Sequence, residues 1–313
     1  MYTKIVNDVE EAAKYILNSE VVAFPTETVY GLGANVFDDE AVKKIFILKK
    51  RPLDNPLIVH ISSKKQIGLL ATEIGSTAKK IIKKFFPGPI TVILKKNPIV
   101  PDRAAAVLDT IAIRMPSSKI AHEFIKACGV PIAAPSANLS GSPSPTSFLH
   151  VLHDFNGRVP CVLAGPSSKY GLESTVIDCS ASVPAVLRPG MVTLEQLRKI
   201  DRKIILRTHT RKIKSPGQKY KHYSPEAKVV LVKKLSKVVE NSAYIGIASL
   251  DTNSKTKISF YKVCRDVEHY AKSLFSFFRE CDVRGIHTLY AQKVDESGLG
   301  LAIMNRLKKA AKE

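Results

Sequence analysis

The amino-acid sequence predicts an α/β protein made of a larger first domain, a basic linker and a smaller Rossmann-like α/β domain. Three observations carry this. At 313 residues the chain exceeds one ordinary small domain and can bury a sizeable core. Short apolar runs that stop at Pro or Gly alternate along it with stretches whose apolar residues recur at helical spacing. Composition then shifts near Arg198: from there to Tyr223 ten residues are Lys or Arg and one, Asp201, is acidic.

The first helix places Val9, Ala12, Ala13, Ile16 and Leu17 on one face, with Asn7 as its cap. Residues 21–24 follow as a buried strand stopped by Pro25. A helix at 40–49, a strand at 57–61, a helix at 77–85 and a strand at 90–94 continue the pattern. Further apolar runs stand at 111–113, 132–134, 159–163 and 176–177. Their spacing is too irregular for a regular doubly wound sheet. The basic stretch contains Ser215-Pro216-Gly217, which breaks regular structure. After it, strands at 229–232, 244–248, 258–264 and 286–290 alternate with helices at 267–279 and 299–311. The expected boundaries are 1–205, 206–226 for the linker, and 227–313.

With 48 Lys plus Arg against 28 Asp plus Glu, the net charge of +20 favours polyanions such as nucleotides, pyrophosphate and nucleic acid. A generally basic proteome accounts for that charge equally well. The five cysteines form no CxxC pair, which speaks against zinc and for reduced thiols. The first eleven residues are polar, and no uninterrupted apolar run reaches about 18 residues. A cytoplasmic protein with no membrane span is expected.

Neither a GxxxxGK[ST] loop nor a full GxGxxG fingerprint is present, so a nucleotide would need another cradle. The stretch PTETVYGLG at 25–33 supplies hydroxyls and amides after a strand, or is a tight turn capped by its threonines. In KKRPLDNPLIVH at 49–60, Lys49 and Arg51 could grip different phosphoryl oxygens, or complement a helix dipole. His60 reads alone as a core histidine, and FPGP at 86–89 as a rigid turn. Arg114 ends a strand in IAIRMP, suited to a carboxylate ligand or to an internal ion pair. The loop PIAAPSANLSGSPSPT at 131–146 packs hydroxyls between prolines as a neutral anion cradle or a plain surface loop. GPSS at 165–168, GLESTV at 171–176 and LRPG at 187–190 add polar turns and a second strand-end arginine. No GxSxG elbow supports a hydrolase.

In this order the stretches resemble the YrdC-like family, in its long two-domain threonylcarbamoyl-AMP synthase form. The resemblance runs through PTETVYGLG, KKRPLDNPLIVH, FPGPITVIL, IAIRMP, PIAAPSANLSG, GPSSKYGLESTVID and LRPG to SPGQKYKHYSP and GLGLAIMNRLKKAA. Phe86 replaces a frequent Trp and Gln218 a frequent Met. The resemblance implies a twisted-sheet first domain with a concave pocket for L-threonine, bicarbonate or CO2, and ATP with Mg²⁺. Threonine contacts are then expected at Thr26, Thr28, His60, Arg114, Ala134 and Ser174. ATP contacts are expected at Lys49, Arg51, Asn55, Thr110, Ser136, Asn138, Ser144, Arg188 and Tyr223. Lys49 and Arg51 would offset charge in the reaction, no protein-held metal is implied, and the linker would close as a lid hinged at Pro216 and Gly217. The product would pass to a downstream threonylcarbamoyl transferase complex for tRNA modification, with tRNA as a further partner. The rival reading is a module that binds double-stranded RNA or tRNA without turnover.

Overall fold

A computed structural model describes residues 2–208, 223–235 and 238–311. The linker features expected at Ser215, Pro216, Gly217 and Gln218 lie outside the described residues. The strands are β1 Lys4–Val6, β2 Val22–Phe24, β3 Gly31–Asn35, β4 Ile58–His60, β5 Ile90–Lys95, β6 Thr110–Arg114, β7 Ile132–Ala134, β8 Cys161–Leu163, β9 Thr175–Asp178, β10 Ala185–Arg188 and β11 Ile205–Leu206. They form one mixed sheet in the order β1-β8-β2-β3-β7-β4-β6-β5-β9-β10-β11. Strands β2, β4, β7 and β8 are buried at every position, which is why they read as short unbroken apolar runs.

Register brings distant motifs together. In the parallel pairing of β4 with β6, His60 lies beside Arg114. On the other side of β4, Ile58 pairs with Ala134 of antiparallel β7. Helices Val9–Leu17 and Lys119–Cys128 share an apolar cluster with β2 and β8, and helices Asp39–Lys49, Ser76–Phe85 and Phe148–Phe155 pack into the main core. A small apolar patch of Ile58, Ile93, Ala112, Val176, Ala185 and Leu187 is left apart from both.

Two local expectations change. Asp8, not Asn7, caps the first helix: its Oδ1 accepts from the amides of Glu10 and Glu11 at 2.7 and 2.9 Å. Gly31 and Gly33 belong to strand β3, although Gly31 also lines the cavity described below. A Cβ on Gly33 would lie 2.5 Å from Ile132 Cγ2 and 2.8 Å from the Phe24 ring, so glycine there permits close packing.

The second domain adds β12 Lys228–Val232, β13 Ser242–Gly246, β14 Phe260–Val263 and β15 Thr288–Gln292, all parallel, in the order β12-β15-β13-β14. Helices Val267–Val283 and Gly298–Ala310 pack with this sheet into one core. That core also takes in Val29 and Leu172 from the first domain's polar turns. Across the same boundary Arg279 makes a fork with Asp154, at 3.0 and 2.8 Å, and donates from Nε to the Pro143 carbonyl at 3.0 Å.

Burial opposes charge on Asp154, but the hydrogen bond and charge of Arg279 hold its carboxyl below the ordinary value. A depressed carboxyl stabilises the fold above the unfolded value and loses that contribution as pH falls through the folded one. Arg279→Met is expected to cost roughly 3–5 kcal/mol, because it strands Asp154 as a buried charge. Urea unfolding at neutral pH reads the loss. The gap to the parent should narrow well below about pH 4, and a parent-like midpoint at neutral pH would contradict the assignment.

Candidate active site

The polar turns converge on a cavity of about 60 Å³ between the first sheet and Tyr223 at the end of the linker. Thr26, Arg51, His60, Arg114, Ala134, Ser136, Ser174, Arg188 and Tyr223 line it, so threonine and ATP candidates share one chamber. The space admits a few water molecules and is far below that of a nucleotide pocket. Thr28, Lys49, Asn55, Thr110, Asn138 and Ser144 do not line it.

Arg114 and His60 stand at the ends of neighbouring strands. Arg114 Nη2 lies 2.7 Å from Glu27 Oε1, and both side chains are buried. The pair is close without hydrogen-bond alignment: Arg114 Nε and Nη2 and both Glu27 oxygens lack hydrogen-bond partners. Arg114 therefore keeps buried donors available to a ligand carboxylate while Glu27 balances its charge. Thr26 Oγ1 is 2.9 Å from Thr28 Oγ1 and donates to the Val29 carbonyl at 2.6 Å, which fixes the turn. Thr28 thus stands behind Thr26 and orients it.

Burial first, and the Arg114 charge second, push the His60 imidazole down to about 3. His60 is neutral in the fold, with Nδ1 3.1 Å from the Ile58 carbonyl. Unfolding restores a value near 6.5, so the buried neutral ring opposes folding progressively as pH falls below about 6.5. The His60 ring carbons, followed by NMR, should show no titration from about pH 8 to 5. A midpoint inside that window would refute the assignment.

Lys50 ends helix Asp39–Lys49 in the left-handed conformation, at φ 51°. The chain turns there, so Lys49 and Arg51 diverge. Lys49, 2% exposed, donates to the carbonyls of Ser136 and Asn138 and so ties down the Pro/Ser loop. Burial, with Arg51 and Arg279 adding to it, pulls its ammonium well below the ordinary lysine value, against the charge of Asp154. Arg51 is held by its own loop, with Nε to the Asn55 carbonyl at 3.0 Å and Nη2 to the Pro56 carbonyl at 2.8 Å. Burial brings it down to about 9, still cationic at neutral pH.

Arg188 donates from Nε to the Ser174 carbonyl at 3.1 Å and from Nη2 to Ser174 Oγ at 3.1 Å. Ser174 Oγ also meets Thr91 Oγ1 at 2.8 Å. Asn138 holds the loop through Nδ2 to the Leu139 and Ser142 carbonyls, and Ser144 donates to Glu173. Asn55 Oδ1 is buried without a hydrogen-bond partner. Thr110 starts β6, four residues from Arg114 and so about 13 Å away along the strand.

Sequence reasoning missed several side chains here. Glu27 and Glu173 were inside the quoted motifs, and the signal was that strand-end arginines need carboxylate partners. Arg306 comes from the second domain and is fully buried, with Nε 3.1 Å from Glu173 Oε2. Its signal was helical spacing with Ala302, Ile303, Leu307 and Ala310, which puts a cation on an apolar stripe. The carboxylates near the cavity face arginines, and no group of three or more His, Cys, Asp or Glu could hold a metal among the described residues. No helix among them is long and apolar enough to cross a membrane.

Residues 14–190 match the family model Sua5_yciO_yrdC, described as Telomere recombination. Residues 192–312 match Sua5_C, described as Threonylcarbamoyl-AMP synthase, C-terminal domain. The threonylcarbamoyl-AMP synthase of Pyrococcus abyssi is 43% identical over 96% of this chain and 93% of its own length. That of Bacillus subtilis is 41% identical over 97% of this chain and 92% of its own. The crystal structure of P. abyssi Sua5 complexed with L-threonine superposes with a TM-score of 0.91 at 40% identity, covering all of this chain and 98% of that one. With matches to both models and relatives aligned along nearly their full length, the chain belongs to the Sua5/YciO/YrdC family, in the two-domain form that carries the threonylcarbamoyl-AMP synthase C-terminal domain.

Proposed function

We propose that the chain is a nucleotidyltransferase that converts L-threonine, CO2 or bicarbonate, and ATP into L-threonylcarbamoyl-AMP and pyrophosphate. The observation that carries this is a single chamber in which Arg114, ion-paired with Glu27 but with Nε and Nη2 in no hydrogen bond, stands beside two further buried arginines. Such buried cations call for an anionic ligand, since burial disfavours their charged forms. They also sit too deep to follow a duplex backbone, which disfavours the RNA-binding module.

In this reading Arg114 takes the amino acid's carboxylate, and Thr26, Ser174 and the Ala134 backbone hold the remainder. The ammonium sheds one proton to solvent, and the amine then forms a C–N bond with CO2 and loses a second proton to solvent to give the carbamate. A carbamate oxygen then attacks the α-phosphorus, and the bond to pyrophosphate breaks with its electron pair leaving on pyrophosphate. Arg51 and Arg188 offset the developing charge, at about 3 kcal/mol per well-aimed donor. Lys49 acts by fixing the loop of Ser136. Mg²⁺ would enter with the triphosphate, because Glu27 and Glu173 are committed to arginines. Entry of ATP requires Tyr223 to move, since the cavity around it is about 60 Å³. The adenylate then serves tRNA modification through a separate transferase.

Pyrophosphate release should require threonine, bicarbonate and ATP together and fall to background without threonine. Unchanged release in its absence would sink the proposal.

A further inference from the structure

The loop at 136–144, which presents Ser136 to the chamber and is braced by Asn138 and Ser144, is held from three sides. From helix Asp39–Lys49, Lys49 donates to the carbonyls of Ser136 and Asn138. From helix Phe148–Phe155, Asp154 Oδ2 accepts the amide of Leu139 at 3.2 Å. The third hold comes from the second domain. Arg279, on helix Val267–Val283 and 7% exposed, donates to the Pro143 carbonyl from Nε at 3.0 Å and from Nη2 at 2.6 Å. That carbonyl belongs to the peptide leading into Ser144.

The same guanidinium forks onto Asp154, with Nη1 3.0 Å from Oδ1 and Nη2 2.8 Å from Oδ2, and Nη1 reaches the His150 carbonyl at 3.4 Å. Arg279 thus sets the Ser144 end of the loop directly, and the Asn138 end through Asp154, which bonds the amide just after Asn138. Stability alone does not call for this arrangement, since an ion pair taken out of water is commonly no better than apolar side chains of the same volume. What the fork adds is direction. A planar guanidinium with all three nitrogens bonded leaves one orientation that satisfies Pro143 and Asp154 together. None of these partners lies in the linker, so the hold does not depend on where Tyr223 stands.

We infer that Arg279 is a positioning residue through which the second domain fixes the 136–144 loop for nucleotide binding. The inference rests on the function proposed above. Arg114 and Thr26, which serve threonine in that reading, stand on other segments, so loosening this loop falls on the nucleotide and spares the amino acid. A small displacement of a binding loop is enough to be felt, because affinity depends on donors already standing in place.

The test uses the full chain with Arg279→Lys and with the double variant Arg279→Met, Asp154→Asn, which removes both members of the buried ion pair together. Calorimetry measures binding of α,β-methylene-ATP and of threonine, steady-state pyrophosphate release gives kcat and the KM for ATP, and hydrogen exchange follows the amides of the loop. The double variant should bind the analogue about tenfold more weakly and raise the KM for ATP alike, with kcat and threonine affinity within about threefold of the parent. The amides of Leu139, Ser140 and Ser142 should exchange faster. Arg279→Lys keeps the charge but cannot span Pro143 and Asp154 as a fork, and should fall between the two. Parental analogue affinity in the folded double variant would overturn the inference, even with faster exchange. Equal weakening of threonine and nucleotide would also overturn it, since that signals general loosening. Should the double variant not fold, Arg279→Lys decides by the same two affinities. If the parent binds the analogue but makes no adenylate, the proposed function fails while analogue affinity and loop exchange still judge Arg279.

Discussion

Arg51→Ala should lower kcat/KM for ATP by about two to three orders of magnitude, the usual cost of removing a donor aimed at transition-state charge. Two of its nitrogens bind carbonyls of its own loop. The guanidinium is therefore presented as a fixed group rather than a mobile chain, and its loss cannot be repaired by a neighbouring lysine. Lys49 is turned towards other carbonyls, so it is not a substitute. The stability cost is smaller, about 1–3 kcal/mol for carbonyls left without a donor. Steady-state pyrophosphate release, with circular dichroism as a control for folding, measures both. A folded variant within about tenfold of the parent would remove Arg51 from the proposed chemistry.

Arg114→Met should abolish measurable threonine binding and also destabilise the fold by roughly 3–5 kcal/mol, because Glu27 would keep a buried charge with no counterion. The two effects can be separated. Adding Glu27→Gln should restore most of the stability and none of the threonine affinity. Arg114→Lys keeps charge but loses the fork, and is expected to weaken threonine binding by about tenfold or more. Isothermal calorimetry and urea unfolding read the two quantities independently. Threonine affinity recovered in the double variant would show that Arg114 only balances Glu27.

The parts of the fold legible in the sequence were those set by local chemistry. Strands buried on both faces stood out as apolar runs, and β7 begins and ends where its run does. Helix Val267–Val283 runs past the expected end at residue 279 because Cys281 continues its buried face. What the sequence could not carry was register. Nothing local to His60 or Arg114 says that they lie side by side, because that depends on which strands pair. Gly33 misled for a related reason: it permits the approach of Phe24 and Ile132, and a close approach looks the same in sequence as a ligand loop, whereas Gly31 does line the chamber.

The site was legible as a set of motifs and less so as a set of roles. Arg51, Arg114, Ser174 and Arg188 reach the chamber. Lys49, Asn138 and Ser144 hold the loops that shape it, and adjacency to Arg51 in sequence hid how the left-handed turn at Lys50 sends the two cations to different surroundings. The contributions of Glu173 and Arg306 needed the docking of two domains, which no single motif encodes.

The central claim is that a carbamate oxygen displaces pyrophosphate at the α-phosphorus. Freshly dissolved heavy-oxygen bicarbonate tests it directly, with every nucleotide and phosphate product weighed by mass spectrometry. The account predicts label in the threonylcarbamoyl-AMP, including the oxygen that bridges to phosphorus, and none in pyrophosphate. Label in inorganic phosphate accompanied by ADP would mean attack at the γ-phosphorus and would contradict it.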